Sequence, residues 1–331
     1  MTWHGNGMSL VITLCLLTIF IILSLVIGAV NIQDKFFETA RAQVFNNTGS
    51  VIQNKTSEST IPADRSLLVK LLADNLENRL NKSAAILEIT GELPQVKNVS
   101  YASSISSELH GIPKNLDIAK RKIAHDILAS DKDLEVIFFL MPNGDMYMEE
   151  PYSRQQNLTG NNFAFRDYYK GAISTSDTYL GNVIISAASG LPQSYIAVPL
   201  YSSASDNNGN RNNSNNMTLS GIWSGGLNLP VFSETLESLN LTNGLHIVYV
   251  DQLGQKIADS DKHSSLFLNK NRNESFANLQ SFRNAVGGKS GYTVETINDN
   301  KMLIFYELVK FGPTAWVVLL MQPYNSTLEL G

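Results

Sequence analysis

The sequence predicts an α+β protein, with an N-terminal transmembrane helix and a long stalk helix ahead of two modules, each a mainly antiparallel sheet flanked by helices. Three observations carry that reading. Ser9 to Val30 is almost wholly apolar, and residues 1–30 contain no Asp, Glu, Lys or Arg. Leu68, Leu72, Leu76 and Leu80 recur every four residues, with Leu67, Leu71 and Leu87 beside them, as one face of a long helix requires. VIFFLMPNGDMYM (136–148) and HIVYVDQLGQKIA (246–258) stand at equivalent places in two successive runs of strand, glycine turn, strand, helix, hairpin and last strand, an internal repeat.

At 331 residues the chain has room for two ordinary domains and a tail. It divides into a tail (1–8), a membrane span (9–30), a stalk with the long helix (31–112), a first module (113–229), a second module (230–325) and a C-terminal stub (326–331). An apolar content of 43% and a charged content of 17% are those of a globular protein. The net charge of −5, with no basic cluster, argues against a nucleic-acid partner.

The 9–30 run is long enough to cross a hydrocarbon core of roughly 30 Å at about 1.5 Å per residue. A secretory signal has a shorter apolar region and a charged start, so an uncleaved anchor is the expectation. Cys15 lies within it as a lipid-facing or packing residue. Lys and Arg give no orientation, because residues 1–8 have neither while Lys35 and Arg41 follow the span. Ten Asn-x-Ser/Thr triplets, from Asn46 to Asn325, follow the anchor, which places the bulk outside the cell as a glycoprotein. Cys15 is the single cysteine, so no internal disulfide staples the modules and apolar cores must hold them.

In order, residues 31–60 continue as helix or polar stalk. The long helix runs from about Asp64, with Pro62 at its start and Gly91 and Pro94 stopping it. It lies on the modules, pairs with a copy of itself in a homodimer, or does both. A second helix spans Asn115 to Ala129 with Ile118, Ile123 and Ile127 inward. Strands follow at 136–141, 178–186, 195–201 and 219–229, the Asn-rich stretch 202–217 being a surface loop. The second module repeats this with a helix at 232–241, strands at 245–250 and 255–258, a helix near 275–286, and strands near 292–296, 301–306 and 315–321.

Residues 163–201 carry the chemistry. A short aromatic helix bears Arg166, Tyr168 and Tyr169, and a hairpin turning at Ser189–Pro192 follows it. A guanidinium presents a planar fork to a carboxylate, and tyrosines give apolar walls with polar tips. The competing reading is an aromatic helix start packed on a sheet, with Arg166 paired to a surface acid.

The order of elements, with FRDYYKG (165–171), TYLGNVIISAASGLPQSYIAVPL (178–200) and YVDQLGQKIADSD (249–261), resembles a double Cache domain, the tandem PAS-like extracellular sensor of bacterial and archaeal chemoreceptors and sensor kinases. The resemblance covers roughly 32–325 and implies a membrane-distal first module and a membrane-proximal second one. Its amino-acid-binding branch has an Arg-x-Trp-Tyr motif for the ligand carboxylate, and a Tyr-x-Asp and a later Gly-Gly-Asp for the ammonium. Arg166 and Tyr169 match, Tyr168 replaces the tryptophan, and Ile184 and Ser186 stand where Tyr and Asp are expected. Ser224-Gly225-Gly226-Leu227 has no Asp. The resemblance therefore implies a site of Arg166, Tyr168, Tyr169, Ile184, Ser186 and Gly226, with Tyr147 as a lid, for a small carboxylate without an amine. Desolvating an ammonium without acceptors costs several kcal/mol.

Other chemistry is poorly supported. His4, His110, His125, His246 and His263 form no metal or nucleophile motif, and Asp259, Asp261 and His263 read as a solvated turn. Ser189-Gly190 lacks the spacing of a nucleophile elbow. Glu149 and Glu150, adjacent on a strand, point to opposite faces and do not converge. Trp223 and Tyr195 read as core. The expectation is a non-enzymatic ligand sensor with no cofactor and no metal. The alternative, raised by the absence of a second span or output domain before Gly331, is a single-span tethered interaction module, its pocket degenerate.

Overall fold

The computed structural model describes residues 61–203, 217–241, 244–261 and 275–324. The expected span at 9–30 and stalk at 31–60 lie outside them. Among the described residues no helix is long and apolar enough to cross a membrane.

Helix α1 (Ile61–Gly91) is the long helix. Its leucine row faces inward, with Leu72, Leu76, Leu80 and Leu87 at 0–2% exposure. Each such burial contributes about 2 kcal/mol. That row packs on the chain's own sheets, in one core with Trp223, Phe232, Tyr249 and Trp316. Leu67 and Ile89 are its exposed large apolar residues, at 54% and 43%.

A single turn α2 (Pro94–Lys97) and helix α3 (Ile118–Ser130) precede the first sheet. Asp117 caps α3 by accepting the Lys120 N–H. Ile127 is buried, but Ile118 is 60% exposed, contrary to the inward stripe expected, because it occupies the first helical position beyond the packed face.

The first sheet holds β1 (Leu134–Leu140), β2 (Met146–Glu150), β3 (Tyr179–Leu180), β6 (Tyr195–Ser203) and β7 (Met217–Leu227) in the order β2-β1-β7-β6-β3, every neighbour antiparallel. Helices α4 (Tyr152–Gln156) and α5 (Asp167–Thr175) lie between β2 and β3. The expected strand 178–186 is broken: β4 (Ile184–Ile185) leaves the sheet and pairs only with β5 (Pro192–Gln193). The cause lies at Asn182 and Val183, whose N–H groups are taken by carboxylates of Asp167 and Asp251 (2.6 and 2.9 Å) instead of by a neighbouring strand.

Helix α6 (Leu229–Glu237) leads to the second sheet, built from β8 (His246–Val250), β9 (Lys256–Asp259), β10 (Gly291–Ile297), β11 (Asn300–Phe311) and β12 (Thr314–Pro323), with helix α7 (Gln280–Val286) before β10. Its order, β10-β11-β12-β8-β9, is the first sheet's order read from the other edge. The repeat extends to detail. Each first hairpin has a register shift at its turn end, after Phe139 and after Tyr249. Gly144 and Gly254 both have positive φ (86° and 77°), and their carbonyls accept 2.8 Å hydrogen bonds from the N–H groups of Phe163 and Phe276. One residue on, Ala164 and Ala277 crowd the place of a Cβ on those glycines. α7 is shorter than the helix expected at 275–286, because Ser275–Leu279 forms this docking turn.

Candidate functional site

The equivalence identifies what differs between the modules. At the N-cap of α5 stands Arg166, and at the N-cap of α7 stands Leu279. In both, the cap N–H donates to the carbonyl three residues earlier, Phe163 and Phe276, at 3.0 Å. The first module thus adds a guanidinium at a point the fold makes twice.

Beside Arg166 is a cleft of about 290 Å³, open mouth included, between α5, the β4–β5 ribbon and the sheet. Its floor is aromatic. Phe138 meets Tyr168 and Tyr195 edge-on (5.8 and 5.6 Å between centroids), and Tyr168 tilts over Tyr195 at 4.9 Å. Arg166 is half-buried at the rim, with Nη2 donating to the Ile185 carbonyl (3.2 Å) and the guanidinium 4.9 Å from the Phe165 ring. Ile184 and Ser186 line the ribbon side, and Met146, Leu158 and Phe163 supply apolar wall.

Under the floor lies a polar network that sequence reasoning missed. Arg154, on α4, donates to Glu149 through Nε (3.3 Å), to Glu135 through Nη1 (3.1 Å), and through Nη2 to Ser186 Oγ (3.2 Å) and Gln193 Oε1 (2.7 Å). The Tyr195 hydroxyl donates to Gln193 Oε1 (2.8 Å). Glu149 lines the cleft at 4% exposure. Burial pushes its carboxyl up to about 7, more than Arg154 can pull it down, and burial likewise raises Glu135. Burial also raises the Tyr168 phenol, and takes Tyr195 to about 12.

Three expected members lie elsewhere. Tyr147 is no lid. The register shift makes it the extra residue of a bulge, which turns it to the α3 side, where its hydroxyl donates to Asp117 (2.8 Å) and its ring lies 4.0 Å from Lys120 Nζ. Tyr169 is no wall: one position on from Tyr168, about 100° around α5, its hydroxyl donates to the Pro142 carbonyl at 2.6 Å. Gly226 lies a layer below the cleft, where a Cβ would come 2.4 Å from Val136 and 2.8 Å from Gln193, leaving no room for an acid. Arg166, Tyr168, Ile184 and Ser186 do come together. Glu149 and Glu150 diverge as expected, Glu150 facing Arg121 and His125 on the other face. Asp259, read as part of a solvated turn, is instead buried at 1% in an ion pair at the end of β9. Among the described residues no group of His, Cys, Asp and Glu is arranged to hold a metal ion.

Two antiparallel modules in tandem along one helix, with a cleft in the first, make up the double Cache fold. Solved structures agree. The ligand-binding domain of the Pseudomonas aeruginosa PAO1 amino-acid chemoreceptor PctB, in complex with L-Arg, matches with a TM-score of 0.54 at 14% identity, over 82% of this chain and 99% of that one. That of the Pseudomonas fluorescens chemoreceptor CtaA, in complex with L-isoleucine, matches with 0.51 at 14%, over 84% and 96%. An extracellular ligand binding receptor from Desulfohalobium retbaense DSM5692 matches with 0.50 at 13%, over 77% of this chain and 40% of its own. At such identities the likeness is one of fold. No protein-family model and no curated protein matches the sequence.

Proposed function

We propose that this chain is the extracellular ligand-sensing part of a membrane receptor, anchored through residues 9–30, and that it binds a small carboxylate-bearing molecule in the membrane-distal first module. The observation that carries this is Arg166 over the Tyr168–Phe138–Tyr195 floor, at a position where the second module has Leu279. A guanidinium beside aromatic faces suits a planar anion. A route for the signal is also present. Asn182 and Val183, just before the cleft-lining Ile184, are held by Asp167 next to Arg166 and by Asp251 in the β8–β9 turn. Gln252 Nε2 also donates to Asn182 Oδ1 (2.8 Å). A ligand that draws the ribbon and α5 together shifts this strap, and with it the second module, by as much as its affinities for the two states differ.

The test is thermal melting of the purified full chain against carboxylates, amino acids, amines, purines and sugars. A ligand at about a hundred times its dissociation constant adds about 2.7 kcal/mol, a midpoint rise of several degrees. Carboxylate-bearing hits that vanish in Arg166→Ala are the expected result. Hits that survive that substitution, or none in a chain that melts cooperatively, would remove the reading.

A further inference from the structure

We infer that Glu149 makes the cleft floor a receptor for a cationic group, so that the ligand carries an amine as well as the anion held by Arg166, and that this cation takes the place of a proton. The inference rests on the reading of the cleft as a ligand site.

The charges beneath the floor do not balance. Glu135 and Glu149 share one guanidinium, that of Arg154, at 3.1 and 3.3 Å. The other Arg154 bonds go to neutral acceptors, Ser186 and Gln193. One Glu149 oxygen accepts from Arg154, and the other accepts no hydrogen bond from the described residues, although Glu149 lines the cleft at 4% exposure. Around it, Tyr168 from α5 and Tyr195 from β6 stay neutral hydroxyls, their ionisation opposed by burial. Arg166 stands at the rim, and Glu150 is on the opposite face with Arg121 and His125. A desolvated carboxylate without its own counter-charge takes up a proton, in keeping with a carboxyl pushed up to about 7. A ligand ammonium supplies the missing charge. Glu149 then ionises, its proton leaves to water, and the ammonium remains hydrogen-bonded to the carboxylate. The acceptor absent from Ser186 and excluded at Gly226 is thus offered from β2, on the other side of the same cleft.

Calorimetry on the full chain with matched pairs tests this: propanoate with L-alanine, 4-methylpentanoate with L-leucine, pentanoate with 5-aminopentanoate, each at pH 6 and pH 8. The amino member of at least one pair should bind more tightly than its partner, and about tenfold more tightly at pH 8 than at pH 6. Titrations at pH 6 in phosphate and in Bis-Tris should show about one proton released per ligand, and at pH 8 almost none. Glu149→Gln should lose the pH dependence and the advantage of the amine. Should that variant not fold, the proton count on the unaltered chain decides. Binding of desamino members alone, or amine binding without proton release at pH 6, overturns the role of Glu149 and leaves the cleft reading standing. No binding by any member at either pH overturns both.

Discussion

Asp259 ends β9 with His246 Nε2 on one oxygen and Lys256 Nζ 2.9 Å from the other. Burial by itself would raise its pKa. The hydrogen bond and charge of His246, with the Asp261 N–H and Lys256, outweigh burial and bring it down to about 2. A carboxyl depressed in the folded state stabilises above its unfolded pKa, and the gain is lost as pH falls through the folded value. Asp259→Asn should therefore cost on the order of 2 kcal/mol at pH 6, and the difference from the parent should shrink steadily below pH 4. Urea midpoints across that range measure it, and a difference that stays constant would refute the pairing. The sequence reading put this residue in water because alternating acids resemble a turn. Nothing local in ADSD announces that β8 brings His246 across to meet it. Tyr147 was misjudged for a related reason. Strand parity decides which face a side chain takes, and a bulge after Phe139 shifts that parity without a mark in MYMEE. A signal for Glu149 was nonetheless present: two acids in a fully buried strand each require a base, and Arg121 and Arg154 were available.

At the scale of elements, α1 was legible because its leucines repeat with the helix period and bury one row. What fixes its azimuth was not legible, since the partners are far apart in the chain. Arg79 Nε donates to Asp133 (3.0 Å), Nη1 donates to Thr235 (3.2 Å), and its guanidinium lies 4.2 Å from the Phe232 ring centroid. Ser83 Oγ donates to Asp131 (2.6 Å), and Lys82 Nζ pairs with the same carboxylate at 2.9 Å. One polar turn of α1 thus grips both the α3–β1 loop and α6, the helix that joins the sheets. Asp133→Ala would leave a largely buried guanidinium without its carboxylate, a loss of about 3 kcal/mol, to be read as a lowered urea midpoint. An unchanged midpoint would mean that apolar packing alone orients α1. The broken 178–186 strand shows the same limit. Thr178 to Ser186 has the composition of a strand, and it is split by carboxylates from two other elements.

For the molecule as a whole, the order of elements and the repeat were readable, because each module writes the same strand, glycine turn and strand into its sequence. That the modules share one core was not, since no pattern says which apolar faces meet. Trp223 of the first sheet and Trp316 of the second are both buried, at 0% and 1%, in the same cluster as the leucine row of α1. Trp223 Nε1 also donates to Thr90 near the end of that helix, at 3.1 Å. Separate cores would melt separately, whereas a shared one makes loss of either sheet expose the helix face that the other needs. Unfolding should therefore be a single transition. The tryptophans make this measurable once Trp3 is replaced by phenylalanine. In Trp223→Phe and in Trp316→Phe, fluorescence of the remaining indole and far-UV circular dichroism should give coincident urea midpoints. An indole that changes before the bulk of the backbone would show that the sheets come apart independently. A strap between independently melting modules would hold too loosely to carry a shift from Arg166 to Asp251, so the same experiment bears on the route proposed for the signal.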